Sequence, residues 1–595
     1  MTSRRKAAAL AAAAIVACVG GCARRPPTRP SVLLVTLEAV RADRLGSYGY
    51  SKARTPRLDS VAREGLLFER AYAAAPFCLP AVTTILTGRS PRSHGVRDDA
   101  GVSLAAGVPI VSEAFRAHGY RTAAFVGSGV VGRSSGLDRG FEEYLDDFGA
   151  PGKRPGWTEA GTARETADAA LRWLATAGAS EPVLAWVHLR RTSPASRGGT
   201  ATAGNDPYDG SLAAADVELG RLLDGYHRSR SSLVVVVLAD HGEALGDHGE
   251  VGFGYFVYSA TTRVPLLISF PEALPRGRRV GPVVRAMDVA PTLMDLAGVP
   301  APPGLEGASL VPLMSGRVAE GPGPAPIENV SLQSRYGISP LFAVRSAAYL
   351  YVRAPRPELY DSEQDPGETV DAAQRLSRVA TRLDAEVRRW APEAPSGLPD
   401  PKDALDLYSR YREAQDLDGR GERGRAIEAY RSILAEAPGF VFAQRKLAEA
   451  LLHEKRIPEA QRLLEDLVDR KLAMETTYLN LALARFRAGD PQAALRRLLE
   501  GTQAFPGSAT LHHRAGRLLL ELKRPGEAVP QLTRAAELEP RLVDGHLALG
   551  EAFESLGQKA EAEAAYRRVL GVADGASSEA RQASTSLQRL ALGPR

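Results

Sequence analysis

Unbroken apolar stretches punctuate the first two thirds of the chain: "SVLLVTL" from Ser31, "PVLAWVHL" from Pro182, "SLVVVVLAD" from Ser232 and "VPLLISF" from Val264. Runs of this length without polar alternation predict strands buried on both faces. The segments between them carry apolar residues at helical spacing, as in Asp216 to Tyr226. Strand-like and helix-like segments in alternation predict an α/β domain with a mainly parallel sheet, extending from Ser31 to about Trp390. Near its end, "PLFAVRSAAYLYVRAPRPELYD" (Pro340 to Asp361) predicts antiparallel strands closing the domain, and a polar loop is expected at Ser193 to Gly204.

Pro392, Pro395, Pro399 and Pro401 then mark a linker, residues 391–404, beyond which the chain turns rich in Ala, Leu, Arg and Glu. Ala426, Ala460, Ala494, Ala528 and Ala562 recur every 34 residues, and Ala414, Ala448, Ala482, Gly516 and Gly550 form a second column of the same period. Pro438, Pro506 and Pro540 punctuate the ends of three units. A 34-residue period with small residues where two helices cross resembles the tetratricopeptide repeat. Residues 405–595 are therefore expected to form five repeats and a C-terminal cap, an all-α solenoid with a concave surface for docking a protein.

The N-terminus predicts export. Arg4, Arg5 and Lys6 precede an apolar run, Ala7 to Val19, that is too short to span a bilayer. The run ends in "VGGC", which resembles a bacterial lipobox, so residues 1–21 are expected to be removed and Cys22 to be lipidated. Residues 22–30 would be a stiff tether. The expected location is the cell envelope, facing the periplasm, with the lipid as the sole membrane contact. Loss of Arg4, Arg5 and Lys6 brings the formal charge of +5 to +2. With so small an imbalance and no dense basic run, nucleic acid is not expected as a partner. Apolar content of 44% and charged content of 24% suit a globular protein with a sizeable core. Cys78 would be the one ordinary thiol left, without a disulfide partner.

Four segments carry the chemistry: "VTLEAVRADRLGSYGY" from Val35, "CLPAVTTILTGR" from Cys78, "VLADHGEALGDHG" from Val237, and the stretch beginning "MDVAPTLMDLAG" at Met287. Acidic and His residues at the carboxyl ends of parallel strands are well placed for a site. Together with "ELYDSEQDPGE" (Glu358 to Glu368), these segments resemble the sulfatase family of the alkaline phosphatase superfamily, over about Ser31 to Ala373. The resemblance implies that Cys78 stands at the nucleophile position, where sulfatases convert Cys to formylglycine. Pro80 and Leu86 to Arg89 match the flanking pattern, but Ala81 and Val82 replace the usual Ser and Arg. That Arg belongs to the modification signal, so its absence argues against formylglycine here.

The resemblance also implies one divalent cation, Ca²⁺, Mn²⁺ or Zn²⁺, held by Glu38, Asp240 and His241. Glu38 stands for the family's first Asp, and Ala39 replaces a further ligand. His188 matches a family His, whereas Ser193 occupies the place of the second, functional one, and Phe253 stands where relatives carry Lys or His. Arg41 and Arg89 are candidate supports for the site, and Arg190 and Arg191 are candidate substitutes for the missing cations. Glu243 and His248 lie in the same loop as Asp240. Read from the residues alone, Cys78 has two further roles open to it. A helix start would lower its pKa and favour a nucleophilic or metal-ligating thiolate; otherwise it is a small buried hydrophobe.

Two functions compete. One is hydrolysis of a small sulfate, phosphate or phosphonate ester at a single metal, coupled to a protein-docking array. The other is a catalytically inactive envelope scaffold acting through the repeats. They diverge in what Glu38→Ala and Asp240→Ala would do to turnover.

Overall fold

The computed structural model describes residues 29–99, 102–146, 161–191, 207–392, 397–573 and 577–592. The signal segment, Cys22, most of the tether, and the Ser193 to Gly204 loop lie outside the described residues.

The first domain is built on an eight-stranded sheet. Its strands in chain order begin with β1 (Ser31–Leu37), β2 (Leu66–Tyr72), β3 (Arg121–Val126), β4 (Glu143–Leu145), β5 (Val183–Leu189) and β6 (Leu233–Ala239). A two-residue ribbon, β7 (Ala244–Leu245) with β8 (Val251–Gly252), precedes the last two, β9 (Arg263–Ser269) and β10 (Arg278–Arg285). The spatial order is β10-β2-β9-β6-β1-β5-β3-β4. The strands from β6 to β4 run parallel, while β9 is antiparallel to both β6 and β2. "VPLLISF" therefore forms a buried strand as its composition predicts, but of opposite direction; burial on both faces produces a continuous apolar run whatever the strand's polarity.

All seven residues of β1, of β5 and of β6 are buried. Successive strand residues point to opposite faces, so both faces of the sheet centre are covered. Helices Pro56–Glu64, Ala163–Leu174 and Pro207–Ser229 pack together as one layer; Cys78–Thr87, Val111–Ala117 and Val289–Ala297 form another. A four-stranded antiparallel sheet follows, with β11 (Ala325–Asn329), β12 (Leu341–Arg345), β13 (Tyr349–Arg353) and β14 (Glu358–Asp361) in sequence order.

From Leu405 the described residues are helical, in five antiparallel pairs and a last helix, Ser578–Leu592. The two small-residue columns lie on successive helices of each pair and are buried at the crossings. At Gly550 a Cβ would sit 2.5 Å from the Tyr566 ring, so any side chain there would push the pair apart.

The array is joined to the first domain by an aromatic core. Tyr255, Phe256 and Tyr336 share one hydrophobic cluster with Tyr408, Tyr411 and Phe440 of the first helices of the array. Tyr336 and Phe440 meet edge to face at 5.0 Å, and the Tyr255 hydroxyl donates to the Pro401 carbonyl at 2.7 Å. Gly337 has φ of +69° and lies so close to Gly439 that a Cβ would come within 2.6 Å of that carbonyl oxygen.

Candidate functional site

Leu37 lies opposite both Leu189 of β5 and Ala239 of β6, so the three central parallel strands end level. Their next residues are Glu38, Arg190 and Asp240, brought together from distant parts of the chain. The ladder continues one step further: the Glu38 N–H donates to Leu189 O and the Asp240 N–H to Leu37 O, both at 3.1 Å. Ala39 then turns away with φ of +56°, a conformation that costs a non-glycine residue about 1–3 kcal/mol. Two contacts hold it there. Its N–H donates to Asp240 Oδ1 at 3.0 Å, and its carbonyl accepts the Tyr208 hydroxyl at 3.2 Å.

Asp240 is fully buried. Its Oδ1 accepts the N–H groups of Ala39 and His241, whereas its Oδ2 has no hydrogen-bond partner among the described residues. His241, also fully buried, places Nδ1 2.7 Å from the Gly242 carbonyl. A carbonyl only accepts, so Nδ1 bears the proton and the Nε2 lone pair is left without a donor. Glu38 Oε2 is likewise buried without a hydrogen bond among the described residues, and Arg190 Nε lies 3.7 Å from it. Burial, and secondly the charge of Asp240, push the Glu38 carboxyl up to about 7. Orphaned buried acceptors cost about 1–3 kcal/mol each. Glu38, Asp240 and His241 each carry one such atom, of the kinds that ligate divalent cations, and the Nδ1–H to carbonyl contact of His241 is the arrangement that orients a ligating imidazole.

Cys78 opens the helix Cys78–Thr87, and the next N–H, of Leu79, donates to Asp99 Oδ1 at 2.8 Å. Cys78 Sγ lies 3.9 Å from His188 Nε2. His188 is fully buried on β5, with Nδ1 2.8 Å from Thr36 Oγ1, and Thr36 Oγ1 also accepts the Trp186 indole N–H at 2.9 Å. Ligand atoms of Cys78, His188 and Asp240 all lie within 4.8 Å of one another. The thiol pKa is raised, first by burial and then by Asp240, Glu38 and Asp99. This reverses the expectation from the helix start, because burial, and after it the carboxylates near that helix end, outweigh its weak positive pole. Burial pulls His188 down to about 4, so it is neutral.

The structure gives the candidate arginines different partners. Arg41 is committed to carboxylates, its Nε and Nη2 donating to Asp43 at 2.9 and 2.8 Å and its Nη1 to Asp247 at 2.6 Å. Arg89 follows the opposite end of the Cys78 helix, about 16 Å away at 1.5 Å per residue, and donates to Pro303 O at 3.3 Å. Arg191 pairs with Glu243, donates to Ser211 Oγ at 2.8 Å and lies 4.0 Å over the Tyr208 ring. Arg190, with its loose contact to Glu38, is left facing the site. Phe253 packs on the His241 imidazole at 4.5 Å, and His248 stacks on Tyr258 at 3.8 Å, holding the loop. Thr36, Asp99 and Tyr208, none of them singled out by the motifs, support the site through contacts that tertiary pairing creates.

Residues 30–299 match the family model for sulfatase, and residues 246–391 match that for the C-terminal part of N-sulphoglucosamine sulphohydrolase. The α/β domain is a sulfatase-family domain. Tetratricopeptide repeat models match residues 419–473, 479–536 and 513–579, within the helical array. An arylsulfatase of Clostridium perfringens is 26% identical, over 49% of this chain and 79% of its own length. A Delta 4,5-hexuronate-2-O-sulfatase of Bacteroides thetaiotaomicron is 23% identical, over 59% of this chain and 86% of its own. Among solved structures, a 2-O GAG sulfatase superposes with a TM-score of 0.52 at 20% identity, covering 61% of this chain and 92% of that one. The sulfatase fold thus ends near the start of the array, and the repeats are additional to it. No helix among the described residues is long and apolar enough to cross a membrane.

Proposed function

We propose that the sulfatase domain hydrolyses a sulfate monoester at one divalent cation, and that the repeat array docks a protein partner beside it. The observation that carries the reading is that Glu38, Asp240 and His241, at the ends of the central strands, each keep one buried atom without a hydrogen bond among the described residues, while ligand atoms of Asp240, Cys78 and His188 lie within 4.8 Å of one another. A bound cation supplies charge neutralisation for the transferring group. Arg190 adds a side-chain cation at the same edge, and Asp240 is fixed through its Oδ1 contacts so that Oδ2 keeps one direction. The sulfated sugar acids and aryl sulfates named for relatives are the substrate classes to try first. Phosphate and phosphonate monoesters are the alternatives. Export and lipidation at Cys22 would present the enzyme at the envelope surface.

The test is turnover of aryl sulfate, aryl phosphate and 2-O-sulfated uronate by the full chain supplied with Ca²⁺, Mn²⁺ or Zn²⁺. Hydrolysis of a sulfate ester that disappears in Asp240→Asn and Glu38→Gln is expected. Equal rates in wild type and Asp240→Asn, or no turnover of any ester with any cation, would overturn the reading.

A further inference from the structure

We infer that Cys78 and His188 are themselves ligands of the cation, making the centre a thiolate–imidazole–carboxylate site selective for Zn²⁺-like ions over Ca²⁺. The inference rests on the reading above only in that a divalent cation binds at Asp240.

Three side chains from three different elements meet here: Cys78 at a helix start, His188 within β5 and Asp240 after β6. Their ligand atoms lie within 4.8 Å of one another, with Cys78 Sγ to His188 Nε2 at 3.9 Å. Around a tetrahedral ion with bonds of about 2.0–2.3 Å, ligand atoms stand about 3.5 Å apart. Small side-chain rotations close that difference. The orphaned Asp240 Oδ2, on a fully buried residue, is an independent sign of a missing positive group.

The surroundings orient each donor. Asp240 Oδ1 is already satisfied by two N–H groups, leaving Oδ2 for the ion. Thr36 Oγ1 lies against His188 Nδ1 and can accept its proton, which turns the Nε2 lone pair toward Cys78 Sγ. On binding, the Cys78 S–H bond breaks, its proton leaves to water, and the sulfur pair forms the bond to the ion.

The oxygen count argues in the same direction. Ca²⁺ takes six to eight oxygen donors, yet Ala39 offers no side-chain donor and Glu38 and Asp240 supply the carboxylates. Thiolate and imidazole favour Zn²⁺ and its neighbours in the series.

The experiment loads the chelator-stripped full chain with Co²⁺ and records its absorption spectrum. A thiolate-to-cobalt charge-transfer band in the near ultraviolet is expected, together with intense visible bands of a tetrahedral ion. In Cys78→Ser the charge-transfer band should vanish while cobalt still binds, and Zn²⁺ affinity should fall at least about a hundredfold; His188→Ala should lower it by about 10- to 100-fold. Zn²⁺ should also raise the melting temperature of the wild type more than that of Cys78→Ser, a readout that requires only folded protein. Bound cobalt without the charge-transfer band, displacement of Zn²⁺ by equimolar Ca²⁺, or an aldehyde at Cys78 in the peptide mass would overturn the inference. Binding of no cation at all would remove the metal reading as well. A normal charge-transfer band in a protein that hydrolyses no ester would sink the proposed function alone.

Discussion

The strand-end site of the sulfatase-family domain and the repeat array are built on opposite scales of sequence separation. Cys78 and His188 are 110 residues apart, and Ala39 bonds to Asp240 across 201. In the array, Arg517 pairs with Glu551 across 34, one repeat length. A site formed by strand ends depends on the whole sheet closing in register, whereas each repeat requires only its neighbours. The difference teaches where damage spreads: through the sheet globally, along the array locally.

The aromatic seam blurs that contrast, because Arg335 connects the two regions. Its guanidinium donates to Asp98 at 3.1 Å, lies 4.0 Å from Asp99, and stands over both Phe77 of the first domain and Phe442 of the array. Asp99 in turn accepts the Leu79 N–H at the start of the Cys78 helix. The chain from the array to Cys78 is therefore continuous in contacts.

The largest effect is expected at the strand ends. Asp240→Asn should lower ester turnover by at least about a hundredfold while leaving the array's helical signal and unfolding unchanged; loss of helicity would break the separation of scales. Arg335→Ala takes the cation away from two carboxylates at the seam, an effect of about 3–5 kcal/mol. Denaturant unfolding followed both by tryptophan fluorescence and by circular dichroism should shift at once in the two regions. An unmoved array transition would show that the seam does not couple them.

Glu250 tests the seam electrostatically. Its buried carboxylate accepts the N–H groups of Tyr255 and Phe256 at 3.0 Å, and burial raises its pKa to about 8. A carboxyl whose folded pKa is raised keeps its proton in the fold while the unfolded chain releases it. Stability from this group is therefore complete below about 4.5 and declines as pH rises to about 8. Glu250→Gln should flatten that decline, at the cost of about 1 kcal/mol at low pH for one N–H left without an acceptor. Melting temperature measured from pH 5 to 8 reads both. The smallest effect is expected within the array. Gly550→Ala should cost about 1–3 kcal/mol, with faster amide exchange confined to the last repeats and unaltered cation binding at Cys78.

Legibility follows the same division. The two columns of small residues reveal the array because every repeat repeats the same helix crossing, so the packing is written in the period. Asp240 and His241 are legible from their motif after a strong strand. Arg41 and Arg89 stand beside motifs too, yet the first is claimed by Asp43 and Asp247 and the second by the far end of a helix. Nothing in the local pattern distinguishes an arginine aimed at a site from one neutralised by a carboxylate 206 residues away.

Sequence alone therefore establishes the buried strands, the fusion of a sulfatase-like domain to repeats, and the identity of the acids and imidazoles at strand ends, since hydrophobic period and motif are local properties. Strand direction in β9, the pairing of each arginine, the raised thiol pKa of Cys78 and its meeting with His188 and Asp240 belong to the tertiary structure. The reason is physical. Electrostatic environment and coordination depend on which groups share a few ångströms of space, and only the closed sheet brings those groups together.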